Sequence, residues 1–440
     1  SSDVCSSDLT PNTLHMNYYN IKHKDEIVSF KEATLRGLGK DKGLFVPEHI
    51  PALPASFFEE ITQKNNIEIA TEALYPYVND SFSKEELQKV LEEVFVFDTP
   101  VKELLSNTSV LELFHGPTMA FKDVGARFMA RCLGKFSDKD NPTMVVVATS
   151  GDTGSAVANG FYKVEGVRVV ILFPKGKVSP FQEYQMTSLG ANIQAVEVEG
   201  TFDDCQALVK QALSDASLKA ERVLSSANSI NVARFLPQML YYFFAYKQVK
   251  DLLDGKDWVV AVPSGNFGNL TAGLYAHAMG LPVSKFVAAN NANDTFAQYL
   301  QTGSYQAKAS VATLSNAMDV GDPSNFVRIQ ELFGHSLEAI RKIITAVVIS
   351  DKETLDEIAY IHNTLGYTLD PHSAVGHLAL QKALLPSQYG TVLSTASPKK
   401  FDQVIRQVIP SFPVPEVDLS TCHKKSIPNS YKDYKELLLS

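Results

Sequence analysis

Apolar positions along this chain follow two distinct patterns. Leu87, Val90, Leu91 and Val94 recur at the i, i+3, i+4, i+7 spacing of an amphipathic helix. Elsewhere apolar residues run without interruption for a few positions and then stop. Met144–Ala148, Val167–Phe173, Trp258–Val262, Phe286–Ala289, Ala346–Ile349 and Thr391–Leu393 are such runs. Their length predicts short strands buried on both faces. Stretches of helical composition separate many of them. This alternation predicts an α/β fold with parallel sheets covered by helices.

The chain shows no internal repeat and no low-complexity tract. Residues 16–105 read as an N-terminal helical domain. Residues 106–240 and 241–440 read as two α/β units, with a ligand expected between them near the carboxyl ends of the strands. Residues 1–15 read as a non-native or disordered leader: SSDVCSSDLTPNTLH is Ser-rich, lacks periodicity and precedes Met16.

Composition narrows the function classes. The 440 residues are 45% hydrophobic and 20% charged, with a net charge of -9. That balance argues against a general nucleic-acid or anionic-membrane binder, which needs a basic surface. It leaves room for a local basic pocket that takes a small phosphate. No apolar run is long enough to span a bilayer, and no secretory signal is present. Cys5, Cys132, Cys205 and Cys422 form no CxxC or zinc spacing and read as reduced thiols of a cytoplasmic protein. No HExxH occurs, so no metal centre is expected.

Two strand–glycine–helix junctions carry the first chemical signal. The run Met144–Ala148 feeds Thr149-Ser150-Gly151-Asp152-Thr153-Gly154 and then a small-residue helix. The run Trp258–Val262 feeds Pro263-Ser264-Gly265-Asn266-Phe267-Gly268-Asn269 and a second helix. Each places backbone N–H groups and the positive end of a helix dipole at the mouth of a sheet, which suits an anion. Neither is a Walker A or GxGxxG sequence. One such loop alone is equally a tight turn; two favour a ligand with two anionic groups, or two ligands.

The second signal is HGPTMAFKDVGARFMARCL. Gly116 and Pro117 make a turn, and Lys122 falls near the start of the helical pattern that follows. The positive helix end and the apolar neighbour Phe121 both disfavour an ammonium, which would free the amine for Schiff-base chemistry. A solvated surface lysine is the competing reading. The pair Glu92-Glu93 is most simply a solvated helix face. His115 and His372 suggest pocket-shaping, helix-cap or packing roles.

The segment FHGPTMAFKDVGARFMA resembles the cofactor-lysine signature of the threonine synthase family, in its branch with a long N-terminal domain. The segments VSFKEATLRGLGKDKGLFVPEHIP, ATSGDTGSA, SANSINVARFLPQ, VPSGNFGNLTAG, TLSNAMDVGDPSN and LSTASPKKF resemble the same family, in the same order, from Met16 to about residue 412. The resemblance implies the tryptophan-synthase-β-like architecture, fold type II, with pyridoxal 5'-phosphate on Lys122. It implies that Gly265, Asn266, Phe267, Gly268 and Asn269 hold the cofactor phosphate and that Thr395 meets the ring nitrogen. Thr149, Ser150, Asp152 and Thr153 would hold the substrate carboxylate and approach the ring O3'. Asn228, Ser229, Asn231 and Arg234 would bind the phosphate of O-phospho-L-homoserine, Arg234 as a bidentate partner. A surface ion pair is the alternative for Arg234.

The implied reaction is that of a carbon–oxygen lyase acting on phosphate, making L-threonine in a monomer or homodimer. Two positions depart from the family pattern: Asn269, where relatives often carry Asp, and Ser397, where many carry His. The rival readings are another fold type II lyase, such as a threonine/serine dehydratase, and a catalytically silent binding protein. The NSINVAR segment favours a phosphorylated substrate over the first. Retention of Lys122, the GNFGN loop and Thr395 weighs against the second.

Overall fold

The computed structural model describes residues 15–105 and 107–440. The expected leader, apart from His15, lies outside these residues, as does Cys5. Near the amino end, β1 (Tyr18–Asn20), β2 (His23–Val28) and β3 (Phe45–Pro47) form a small antiparallel sheet in the order β2-β1-β3. Three helices follow, Ala55–Glu59, Asn66–Val78 and Lys84–Val94. The last buries Leu87, Leu91 and Val94 of the expected stripe, with Val90 partly buried beside them, and Ser83 and Glu86 close a capping box at its start. The N-terminal region is therefore mixed rather than purely helical.

Two larger sheets form the rest. A five-stranded parallel sheet is ordered β14-β8-β7-β6-β9, from β6 (Thr143–Ala148), β7 (Val167–Pro174), β8 (Ile193–Glu199), β9 (Leu224–Ser226) and β14 (Lys424–Pro428). A six-stranded sheet is ordered β12-β11-β10-β13-β5-β4. It uses β4 (Val101–Leu105), β5 (Thr108–Glu112), β10 (Asp257–Pro263), β11 (Val283–Asn290), β12 (Ile344–Val348) and β13 (Gln388–Ser394). Only β4 runs antiparallel in it. All six apolar runs are strands.

The sheets trade segments along the chain. The pair β4–β5 joins strands from the second half, and β14 crosses back to pair with β8. Both sheets are covered on two faces, which explains the unbroken apolar runs. In β6, Val145 and Val147 enter the large central core, while Met144, Val146 and Ala148 enter a separate cluster with Tyr434 and Leu438. In β10, Trp258, Val260 and Val262 face the central core, and Val259 and Ala261 face a third cluster. Each fully buried valine contributes about 1.5–3 kcal/mol.

Candidate active site

The carboxyl ends of β6, β9, β10 and β13 converge on one cleft. The chain leaves β6 through Thr149-Ser150-Gly151 and enters the helix Asp152–Phe161. It leaves β10 through Ser264-Gly265-Asn266-Phe267 and enters the helix Gly268–Ala278. Lys122, Thr149, Ser150, Asp152, Thr153, Asn228, Ser229, Arg234, Gly265, Asn266, Phe267, Gly268, Asn269 and Thr395 all line it. The position matches the strand-end crevice expected of α/β sheets.

Asn231 is the predicted site residue that does not line the cleft. It is fully buried. Its Oδ1 caps the helix Val232–Phe235 at Ala233 N (3.0 Å), and its Nδ2 donates to Thr34 O at 2.8 Å. Both ends of the side chain are spent on structure. The reading of Asn231 as a phosphate ligand is therefore corrected to that of a brace against the N-terminal region.

Lys122 opens the helix Lys122–Phe136. Thr118 shapes its start by donating from its amide (3.0 Å) and hydroxyl (2.5 Å) to Asp123. The Lys122 amine sits 5.9 Å from the Phe121 ring centroid. The side chain is half-buried, since the cleft reaches it. Burial lowers its pKa to about 8; Lys400 and Arg234 act in the same direction, while Asp152 opposes them. The lysine is thus a cleft group with a lowered pKa and not a solvated surface group.

Asp152 is buried and accepts hydrogen bonds from Gln182 Nε2 (3.0 Å) and Lys400 Nζ (2.7 Å). Burial alone pushes its carboxyl up, but Lys400 and Lys122 outweigh that and hold it well below the usual range. An ionised carboxylate repels a substrate carboxylate, so Asp152 is poorly suited to grip one directly. Thr149 Oγ1 accepts the amides of Gly151 (2.9 Å) and Gly154 (2.8 Å) and so holds the loop in shape. Ser150 and Thr153 keep hydroxyls with no partner among the described residues.

Arg234 is buried, and burial lowers its pKa to about 10. Its Nε donates to Ala227 O (2.8 Å) and its Nη1 to Lys122 O (3.0 Å). Its Nη2 makes no hydrogen bond among the described residues. Asn228 and Ser229 line the same cleft. The surface ion pair considered for Arg234 is excluded by this burial.

The cleft fits pyridoxal phosphate on several observations. A Cβ on Gly265 would lie 2.8 Å from Ala317 O and Met318 Cα, and one on Gly268 2.9 Å from Ser229 Cβ. Phe267 takes a left-handed backbone, φ 60°, to start the helix Gly268–Ala278. Asn269 Nδ2 is buried without a partner, while its Oδ1 accepts Tyr242 Oη at 2.8 Å. Asparagine thus offers the helix start a spare donor that aspartate would lack. The Thr395 hydroxyl has no partner among the described residues, and its carbonyl accepts the Phe121 amide at 2.8 Å.

Sequence reasoning passed over several lining residues. Asn316, Ala317, Met318, Asp319 and Val320 cover the Gly265 loop, and Gln238 also lines the cleft, as does His372, for which a pocket role was among the expectations. The available signal was their place in TLSNAMDVGDPSN and, for Gln238, in SANSINVARFLPQ. Burial raises the Asp319 pKa to about 6, against hydrogen bonds from Thr313 and Asn291. His115 instead pairs with Glu112 at 2.7 Å, outside the cleft. Ser397, the second departure, caps the turn Pro398–Phe401.

A family model described as pyridoxal-phosphate dependent enzyme matches residues 99–396. With the fold and the lysine-bearing cleft, that defines a pyridoxal-phosphate enzyme. A second model, threonine synthase N terminus, matches residues 17–95. Threonine synthase of Escherichia coli (strain K12) is 45% identical over 394 residues, 90% of this chain and 91% of that protein. The crystal structure of threonine synthase from Escherichia coli superposes with a TM-score of 0.89 at 40% identity, covering 96% of this chain and 99% of that one. A pyridoxal-phosphate-bound threonine synthase from Brucella melitensis gives 0.89 at 32% identity, covering 96% and 99%. The chain belongs to the threonine synthase family.

Proposed function

We propose that this chain converts O-phospho-L-homoserine and water to L-threonine and phosphate. The carrying observation is the presence of two anion-suited positions on one reactive lysine's cleft. The Gly265–Asn269 loop suits the cofactor phosphate through backbone N–H groups and a helix terminus. Arg234, with Nη2 to spare beside Asn228 and Ser229, suits a second phosphate. A dehydratase acting on an unphosphorylated amino acid needs only the first.

When bound, pyridoxal phosphate supplies the electron sink that makes the protons on the substrate carbons removable. The chain supplies the rest. Lys122 would hold the cofactor and would serve as the base and acid at the substrate carbons, helped by a pKa lowered to about 8. Arg234, Asn228 and Ser229 orient the departing phosphate, which takes the electron pair of the Cγ–O bond. Water adds at Cβ, and Cγ, which takes up the proton removed from Cβ, ends as the methyl group of threonine. Ser150 and Thr153 bind the substrate carboxylate. Thr395 meets the ring nitrogen as a neutral hydroxyl partner. Cytoplasmic residence and a monomer or homodimer go with this reading; no helix among the described residues is long and apolar enough to cross a membrane.

The test is phosphate release from O-phospho-L-homoserine with threonine identified as product. Equimolar threonine and phosphate are expected. Release of 2-oxobutanoate from threonine, with no turnover of the phosphorylated substrate, would favour the dehydratase reading instead.

A further inference from the structure

Lys400 is a lysine with no exposed surface at all. It sits on the short turn Pro398–Phe401, just past β13 of the six-stranded sheet. Its ammonium donates to Asp152 Oδ1 at 2.7 Å and to Thr118 O at 2.7 Å. Asp152 starts a helix of the five-stranded sheet. Thr118 holds Asp123, the neighbour of Lys122. One buried cation therefore ties together both sheets and the turn that presents the reactive lysine. It stands behind the cleft and is not among the residues that line it.

A bolt between two sheets does not need a charge; apolar side chains of similar volume often serve as well. A buried charge therefore calls for an explanation in electrostatics. Asp152 is an anion in the cleft wall. The groups acting on the Lys122 amine are Asp152, Lys400 and Arg234, with Asp123 next to it on the same helix. Without Lys400, Asp152 would draw its counter-charge from Lys122 and keep that amine protonated. We propose that Lys400 is a positioning residue that neutralises Asp152, so that Lys122 can release its proton to solvent and present a free amine in the cleft. This rests on the reading of Lys122 as the cofactor-bonding amine.

The test measures Lys122 itself in cofactor-free protein. Competitive acetylation of Lys122, followed by peptide mass spectrometry, gives the pH at which the amine becomes reactive. In the unaltered chain this midpoint is expected at about 8. Lys400→Met should raise it by roughly 1–3 pH units, the effect of one opposite charge left in place. Asp152→Asn should lower it, because Lys400 then acts on Lys122 unopposed. Lys400→Arg keeps the charge and should hold the midpoint near that of the unaltered chain. An unmoved midpoint in folded Lys400→Met, or an unmoved or raised one in Asp152→Asn, overturns the proposal. If Lys400→Met does not fold, the Asp152→Asn result decides alone. No substrate is used, so the outcome is separable from whether the chain makes threonine.

Discussion

The amide of Ala317 donates to His372 Nε2 at 3.1 Å. The other ring nitrogen, Nδ1, is 2.7 Å from Asp370 Oδ2. An accepting Nε2 puts the proton on Nδ1, so His372 works as a neutral strut. It holds the turn Asn316–Met318 over the Gly265 loop. Helix capping falls to Asp370, which accepts the amides of His372 and Ser373.

Removing that strut should loosen the cofactor site. His372→Phe leaves the Ala317 amide without its acceptor, at a cost of about 1–3 kcal/mol. The expected result is a cofactor dissociation constant raised by roughly tenfold, since about 1.4 kcal/mol is tenfold in affinity. Titration of cofactor-free protein with pyridoxal phosphate measures it. Unchanged affinity would reduce His372 to a packing residue.

Gly265→Ala tests the same wall from the other side. The new methyl would lie 2.8 Å from Ala317 O and Met318 Cα, both backbone atoms that cannot swing away. Overpacking of this kind costs about 1–3 kcal/mol. Thermal melting should show a lower midpoint, and cofactor should be bound more weakly than in the unaltered chain. A variant with full cofactor affinity would mean that the covering turn yields freely.

Arg234→Lys separates substrate phosphate binding from scaffolding. Lysine keeps the charge but loses the planar fork that reaches Ala227 O and Lys122 O while sparing Nη2. A charge-assisted hydrogen bond is worth about 1.5–3 kcal/mol, so kcat/KM should fall by roughly 10- to 100-fold. Steady-state kinetics with O-phospho-L-homoserine should show most of the loss. Cofactor absorbance should be retained. Loss of cofactor with no effect on the remaining kinetics would move Arg234 out of the substrate site.

The pH dependence of cofactor loading follows from Lys122. Only the neutral amine attacks the cofactor aldehyde. With a pKa of about 8, the neutral fraction grows as pH rises and levels off above that value. At pH 7 roughly a tenth is neutral, against well under a thousandth for an ordinary lysine of pKa about 10.4. Stopped-flow reconstitution should therefore accelerate through neutrality and plateau near pH 9, by about one unit past the pKa. Lys122→Ala should abolish the absorbance band of the covalently held cofactor and cut turnover by about 10²–10⁴-fold or more. A rate still climbing steeply above pH 10, near the ordinary lysine value, would contradict the lowered pKa.

The sequence by itself determined the local features of this protein. Six apolar runs became strands because burial on both faces leaves no polar position to break them. The helix Lys84–Val94 was set by its own stripe and capping box. The two glycine junctions were readable because a strand, a glycine turn and a helix start are neighbours along the chain. What the periodicity missed were short edge strands such as Val101–Leu105 and Lys424–Pro428, whose exposed positions are mostly polar; the second also pairs with Ile193–Glu199, far away in sequence.

Only the tertiary structure decided what the polar residues do. Asn231 and Asn228 stand three positions apart in one motif. Yet one braces Thr34 and the other lines the cleft, according to which neighbour packs beside each. Lys400 and Lys122 are both lysines beside a phenylalanine. One became a fully buried counter-ion to Asp152, and the other lines the cleft with its pKa lowered by burial. Periodicity and turn chemistry are properties of adjacent residues. The state of a charge depends on burial and on partners brought in from distant segments, and the fold alone assembles those.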